Sequence, residues 1–292
     1  MKICEQRTVI ITGAGAGLGR AYALAFGAAG AQVVVNDVRA DAAHGVAEEL
    51  RAAGAQALVS SGDITTLRGA QSIVDAAVDA FGEVHVLVNN AGVLRDRLFI
   101  SLSEDDWDEV IRVHLKGHFC LANVLGRRWR DAYKAGAPVA HPRIINTSSG
   151  AGLQGSVGQS NYAAAKAGIA GLTLVQAAEM ARYAITVNCL APAARTRMTE
   201  GAMPELVKKP DSGFDLWDPM NVAMVVVWLG SPLSESVSGR CFETKGGELS
   251  LADGWRTGRI VDKGARWELS ELGAVVAQLI ENAEPAQKVY GS

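Results

Sequence analysis

Thr8-Val9-Ile10-Ile11-Thr12, Gln32 to Asn36, Gln56 to Ser60, Val84 to Val88 and Arg143 to Thr147 are short, nearly unbroken apolar and β-branched runs, the pattern of strands covered on both faces. Between them lie Ala-rich stretches whose apolar spacing predicts helices over 18–29, 42–53 and 67–81, with a further helix over 159–182. Strand and helix alternate without a break. The pattern therefore predicts an α/β fold with a doubly wound parallel sheet, in a single domain over 1–250. From about Leu251 a C-terminal extension (251–292) lies beyond that core, with a helix predicted over 270–283. Gly254-Trp255 and Trp267 are expected to pack over a site or against another subunit, the alternative being that the helix caps its own subunit. The stretch 198–219 holds three prolines and few apolar pairs, and reads as a mobile substrate lid. Within it, Lys208 and Lys209 suit a phosphate-bearing ligand, or simply a solvated face.

Composition narrows the class. With 292 residues, 49% hydrophobic and 20% charged, the chain can build a substantial core. A net charge of −3 argues against nucleic acid or an anionic membrane as the main partner. No apolar run is long enough to span a bilayer, and the opening M-K-I-C-E-Q-R lacks the apolar core of a signal peptide. Cys4, Cys120, Cys189 and Cys241 have no paired or metal-like spacing and read as reduced thiols of a cytoplasmic protein with no metal site.

Chemistry enters where the strands end. The first strand runs directly into G-A-G-A-G-L-G and a helix start. In such a turn, backbone N–H groups and the helix dipole face an anion, and glycine lets the backbone approach it. Gly13, Gly17 and Gly19 follow the T-G-x-x-x-G-x-G spacing. Asp37 ends the second strand, where a carboxylate accepts from ribose hydroxyls and repels a 2′-phosphate; this favours NAD over NADP. Arg39, two residues on, offers a guanidinium for that same phosphate and is the counter-evidence. Asp63 and Ile64, at another strand end, suit an adenine amino group and an adenine face. N-N-A-G at Asn89–Gly92 supplies small and amide residues for the crevice of an open sheet. Tyr162 and Lys166 are four apart on one helix face, where an ammonium beside a phenol favours the phenolate and makes Tyr162 a proton donor and acceptor. Ser149, just past the Arg143–Thr147 run, can hold a substrate oxygen beside that phenol. Alone, Y-x-x-x-K fits an ordinary amphipathic helix equally well.

Together these motifs, in this order and spacing over roughly residues 7 to 247, resemble the short-chain dehydrogenase/reductase family, whose fold is Rossmann-like. The resemblance implies that Tyr162 is the acid/base, that Lys166 lowers its pKa and binds the nicotinamide ribose, and that Ser149 polarises the substrate oxygen. It implies that Gly13, Gly17, Leu18, Gly19, Asp37, Asp63, Ile64, Asn90, Ala91 and Gly92 hold the dinucleotide, with Pro192 and Thr196 near the nicotinamide. It also implies a homodimer or homotetramer through the helix over 159–182, which is dense in small residues.

Two departures stand out. His114, in V-H-L-K-G, occupies the place of the family's Asn, whose backbone carbonyl supports a water linked to the catalytic lysine; a carbonyl survives substitution. Thr196 falls one residue early in Pro192-Ala193-Ala194-Arg195-Thr196. V-L-R-D-R-L-F, V-H-L-K-G-H-F and A-P-A-A-R-T-R-M-T look like the (3R)-hydroxyacyl-CoA dehydrogenase module of the peroxisomal multifunctional β-oxidation enzyme, which also acts on 17β-hydroxysteroids, and its stand-alone bacterial relatives. The expected activity is an NAD(H)-dependent interconversion of a secondary alcohol and a ketone on a 3-hydroxyacyl-CoA or a hydroxysteroid, in lipid or sterol breakdown. The alternatives are a 3-oxoacyl-carrier-protein-type reductase and a non-catalytic dinucleotide-sensing subunit.

Overall fold

A computed structural model describes residues 2–202, 204–252, 254–285 and 287–292. The strands are β1 (Thr8–Thr12), β2 (Gln32–Asn36), β3 (Ala57–Ser60), β4 (Val86–Asn89), β5 (Arg143–Thr147), β6 (Thr186–Ala193), β7 (Cys241–Lys245) and β8 (Glu248–Leu251). They form one sheet in the order β3-β2-β1-β4-β5-β6-β7-β8, parallel throughout except for the antiparallel pair β7–β8. The helices are α1 (Gly17–Ala28), α2 (Ala40–Ala52), α3 (Leu67–Phe81), α4 (Glu104–Ile111), α5 (Gly117–Lys134), α6 (Gly150–Gln154), α7 (Ser160–Met180), α8 (Arg197–Ala202), α9 (Pro219–Gly230) and α10 (Leu269–Glu281).

The two faces of the sheet are read directly by the strand alternation. Val9, Ile11, Val33, Val35, Val86 and Val88 face one apolar layer, where Tyr22, Phe26, Leu50 and Val226 of α1, α2 and α9 cover them. Ile10, Val34, Leu87 and Ile144 face the other, under Ile73, Leu121, Leu125 and Trp129 of α3 and α5. The order reverses between β1 and β4, so the carboxyl ends of those strands open a crevice at the point where such sheets bind ligands.

Between α4 and α5 the helix widens into a π turn over Arg112–Lys116, which sequence periodicity does not mark. The segment after β6 is tied down rather than loose. Arg195 pairs with Asp215 and donates to the Val207 carbonyl at 2.9 Å, its own N–H reaches the Trp217 carbonyl at 2.7 Å, and Val207 is fully buried. The lid expected over 198–219 is thus clamped at Val207, Asp215 and Trp217; Met203 lies outside the described residues.

The extension behaves differently. β8 is exposed along its length and no residue of α10 is buried. Trp255 is fully exposed, and Trp267 packs beneath Lys263, 5.6 Å from its Nζ. The helix is stabilised locally instead, by a Glu268–Glu271 capping box and a Lys263–Glu271 ion pair.

Candidate active site

The glycine turn is built by close contacts. Gly13 has φ +63°, and a Cβ there would lie 2.8 Å from Ala91 Cα; a Cβ on Gly19 would strike the Gly13 carbonyl oxygen at 2.1 Å. Thr12 and Asn90 stitch the turn to β4. Thr12 Oγ1 accepts from the N–H groups of Asn90 and Ala91 at 2.9 and 3.0 Å, and Asn90 Nδ2 donates to the Thr12 carbonyl at 3.0 Å. The N-terminus of α1 carries no side-chain cap and no acidic residue in its first turn, which leaves its N–H groups for an anion. Thr196 closes over this turn: its Cγ2 sits 3.5 Å from where a Cβ of Gly17 would be. Its oxygen also begins α8, accepting from the Thr199 N–H at 3.3 Å. Pro192 lies just upstream, paired with Thr244 at the end of β6.

Asp37 is buried at the end of β2. One carboxylate oxygen accepts from the Gly15 N–H at 3.0 Å, the other from the Arg39 N–H at 3.0 Å, and the Arg39 guanidinium folds back onto the same group at 3.3 Å. Asp63 turns its carboxylate onto the Thr65 N–H and hydroxyl, both at 2.8 Å, and Arg112 donates to the Thr65 hydroxyl at 2.7 Å. Its pKa falls below the ordinary carboxylate value because these hydrogen bonds and the nearby Arg112 and Lys116 outweigh desolvation. The same turn rotates Ile64 inward: its side chain is buried in the core, against Gly117.

Ser149, Tyr162, Lys166 and His114 converge. Ser149 ends the loop after β5 and caps α6, its hydroxyl accepting from the Ala151 N–H at 3.2 Å. Lys166 is buried, reaching from α7 to donate to the Thr147 carbonyl at 2.6 Å, with Nζ 5.5 Å from the Tyr162 ring centre. His114 packs edge-on against the same ring, centroids 5.2 Å apart, and is pressed onto Gly92 from its other side.

Burial decides the electrostatics. It pushes the Tyr162 phenol up, with the Ser149 hydrogen bond pulling it back down and Asp96 adding to the rise. It pulls Lys166 down to about 7, against a small opposing effect of Cys189. Lys166 is itself desolvated and donates to the Thr147 carbonyl, its Nζ 5.5 Å from the Tyr162 ring centre. His114 falls to about 3 through burial and the neighbouring Lys166, so its imidazole is neutral. Its Nε2 faces both the N–H and the carbonyl of Val93, at 3.0 and 2.8 Å, while Nδ1 has no partner among the described residues.

Several supporting residues carry no sequence signal of their own. The Ser148 hydroxyl donates to the Lys166 carbonyl at 2.8 Å, and the buried His118 accepts from the Thr147 N–H at 3.3 Å, so both fix the strand end that holds the lysine. Thr12 was the most findable, since it stands directly before the glycine turn.

A Tyr–Lys–Ser cluster, its lysine buried and its tyrosine and serine half-buried, beside a glycine-lined switch point defines a class. The short chain dehydrogenase family profile matches residues 7–206, and the chain belongs to that family, oxidoreductases that act on CH–OH groups with a nicotinamide dinucleotide. Its relatives include the hydroxyacyl-CoA dehydrogenase ChsB1 of Mycobacterium tuberculosis, 40% identical over 96% of this chain and 90% of that protein. The peroxisomal multifunctional enzyme type 2 of Mus musculus is 40% identical over 93% of this chain, which spans 34% of the mouse protein. A crystal structure of a short chain dehydrogenase from Mycobacterium avium, 49% identical, superposes with a TM-score of 0.91 over 99% of this chain and 100% of the other. No helix among the described residues is long and apolar enough to cross a membrane, and no group of three or more His, Cys, Asp and Glu among them is placed to hold a metal.

Proposed function

We propose that this chain interconverts a secondary alcohol and a ketone with NAD(H), on a 3-hydroxyacyl-CoA first and a hydroxysteroid second. The observation that carries the reading is the convergence of Ser149, Tyr162 and Lys166 beside the glycine turn; the two similar proteins named for hydroxyacyl-CoA and multifunctional chemistry support the substrate class.

The residues present fit a dinucleotide. Gly13, Gly17, Leu18 and Gly19 offer the close backbone and the uncapped helix start for its phosphates, Asp37 the ribose acceptor, and Asp63 with the Ile64 backbone the adenine edge. Asn90, Ala91 and Gly92 line the crevice floor, and Pro192 and Thr196 its far wall. Preference for NAD follows from Asp37, whose buried carboxylate repels a 2′-phosphate while Arg39 is already turned onto it. When bound, NAD accepts the hydride from the substrate carbon.

The chain handles the proton. Ser149 Oγ orients the substrate oxygen and hydrogen-bonds the Tyr162 phenol, whose oxygen takes the alcohol proton in oxidation and returns it in reduction. Lys166, held by Thr147, would hold the nicotinamide ribose and sets the position and charge next to that oxygen. His114 buttresses the ring through its edge contact and stays neutral. The exposed faces of Ala164, Ala167, Gly171, Leu174, Val175 and Ala178 form one stripe along α7, which we assign to a second copy of the chain in a homodimer or homotetramer.

Turnover of a panel of 3-hydroxyacyl-CoAs and hydroxysteroids, followed by reduced-nicotinamide absorbance with each dinucleotide, tests the reading. Oxidation of at least one class with NAD is expected; no turnover of either class overturns it.

A further inference from the structure

The segment Val289–Gly291 returns from the exposed extension to the mouth of the crevice. It lies alongside the loop 155–159, which carries the chain from α6 to α7 and so from Ser149 to Tyr162. The Val157 N–H donates to the Tyr290 carbonyl at 2.9 Å, and the Tyr290 N–H to the Gly155 carbonyl at 3.2 Å, making a parallel bridge between Ser156 and Tyr290. The Ser292 hydroxyl and N–H, at 2.9 and 3.3 Å from the Val289 carbonyl, close a turn behind it. On its opposite side the same loop pairs with Arg97: the Arg97 N–H donates to the Gly158 carbonyl at 2.9 Å, and Gln159 Nε2 to Asp96 at 2.9 Å. The loop, which turns at 157–158, is thus bridged on both sides.

The side chain of Tyr290 reaches further in. A Cβ built on Gly150 would lie 2.7 Å from the Tyr290 hydroxyl and 3.0 Å from its Cε2. Gly150 is the residue directly after Ser149 and the first of α6, so the phenol stands within one residue of the hydroxyl that meets the substrate oxygen. A side chain at 150 would push against the ring and shift it outward. Tyr290 keeps about half its surface, 49%, exposed, and is therefore a wall rather than a core residue.

We propose that Val289–Gly291 forms the outer wall of the substrate crevice and that Tyr290 determines specificity, narrowing the space beside Ser149 so that a slender acyl chain enters more readily than a fused ring system. The inference rests on the function proposed above for Ser149 and Tyr162. It goes beyond it by assigning substrate width to a residue outside the glycine turn, the strand ends and α7.

The test compares kcat/KM for a straight-chain 3-hydroxyacyl-CoA and for a hydroxysteroid in the unmodified protein, in Tyr290→Ala and in Tyr290→Phe. Pocket-lining groups commonly change such ratios by about 10–200-fold. Tyr290→Ala should move the ratio at least tenfold toward the steroid, with NADH affinity unchanged, while Tyr290→Phe keeps the ring and leaves it within about threefold. An unchanged ratio in Tyr290→Ala overturns the proposal. Gly150→Ala supplies an independent arm: it should cost activity when Tyr290 is present and regain most of it in the double variant with Tyr290→Ala, and an equal loss in both backgrounds overturns the proposed contact. If the unmodified protein turns over neither substrate, the proposed function has failed on its own account. Hydrogen exchange then decides the wall: removing residues 287–292 should accelerate exchange at the Val157 amide, and unchanged protection there refutes the strap.

Discussion

The crevice above β1, β4 and β5 and the extension beyond β7 are built on opposite principles. In the crevice, polar groups are buried and paired with one another. Asn89 donates to Asn146, Asn146 to Thr173 and Gln176, and Lys166 to the Thr147 carbonyl, all within about 3 Å. In the extension, Leu269 and Ile280 of α10 stand in solvent and helix order comes from its own capping box. Groups that must hold a proton or a charge to a fraction of an ångström are fixed by a dense hydrogen-bond network. A surface that selects or assembles needs only to be present, and contributes little to the core. The extension can therefore vary without disturbing the chemistry, except where Val289–Gly291 comes back to the crevice.

The sharpest way to break that contrast is Tyr162→Phe. The ring contacts with His114 and Lys166 survive and only the hydroxyl is lost, so turnover should fall about 10²–10⁴-fold while NADH binding, followed by fluorescence, stays within a few-fold. Turnover within tenfold of the original would remove Tyr162 from the chemistry.

Lys166→Met follows in size, and acts on stability as well as turnover. Burial holds Lys166 at about 7, against 10.5 when exposed. Below pH 7 the lysine is charged in both folded and unfolded chains and the burial penalty is fully present. It shrinks as pH rises from 7 to 10.5, where the unfolded chain still binds the proton and the folded one does not. Lys166→Met should therefore stabilise the fold by on the order of a few kcal/mol at pH 6 and by much less at pH 10, read from urea unfolding at the two pH values. A difference independent of pH would place the lysine in water. Its NADH affinity should weaken too, in contrast to Tyr162→Phe.

Next comes dinucleotide choice: kcat/KM with NAD should exceed that with NADP at least tenfold, about 1.4 kcal/mol, and equal use would shift the decisive role from Asp37 to Arg39. His114→Asn is smaller again. A neutral, backbone-bonded imidazole moves no proton, so turnover should stay within a few-fold, and a loss of several hundredfold would make the imidazole a relay. Smallest of all is Ile280→Ser on α10, expected to change monomer unfolding free energy by less than about 0.5 kcal/mol because the residue is 70% exposed.

What the sequence made legible follows the same divide. β1, β2 and β5 are readable because burial on both faces demands continuous apolar runs, and α3 because one buried face recurs at helical spacing; the predicted bounds of these four coincide with the structure. The glycine turn is readable because close backbone approach tolerates nothing larger. The direction of the Ile64 side chain is not legible, because a local turn sets it, here Asp63 onto Thr65. The desolvation of Tyr162 and Lys166 is not legible either, because spacing gives proximity and says nothing of burial. The loop between Ser149 and Tyr162 shows no partner in its own pattern, since Tyr290 is more than a hundred residues away in sequence and meets it mainly through backbone atoms.

The Thr12–Asn90 stitching of the glycine turn has a kinetic consequence. Ordering a loop costs about 1–2 kcal/mol per residue, and here that cost is met when the chain folds, because Thr12 and Asn90 lock the turn to β4 independently of any ligand. A dinucleotide then finds its donors already aimed, and association need not wait for the turn to close. Dinucleotides that differ at the ribose should arrive at similar rates and be told apart by how long they stay.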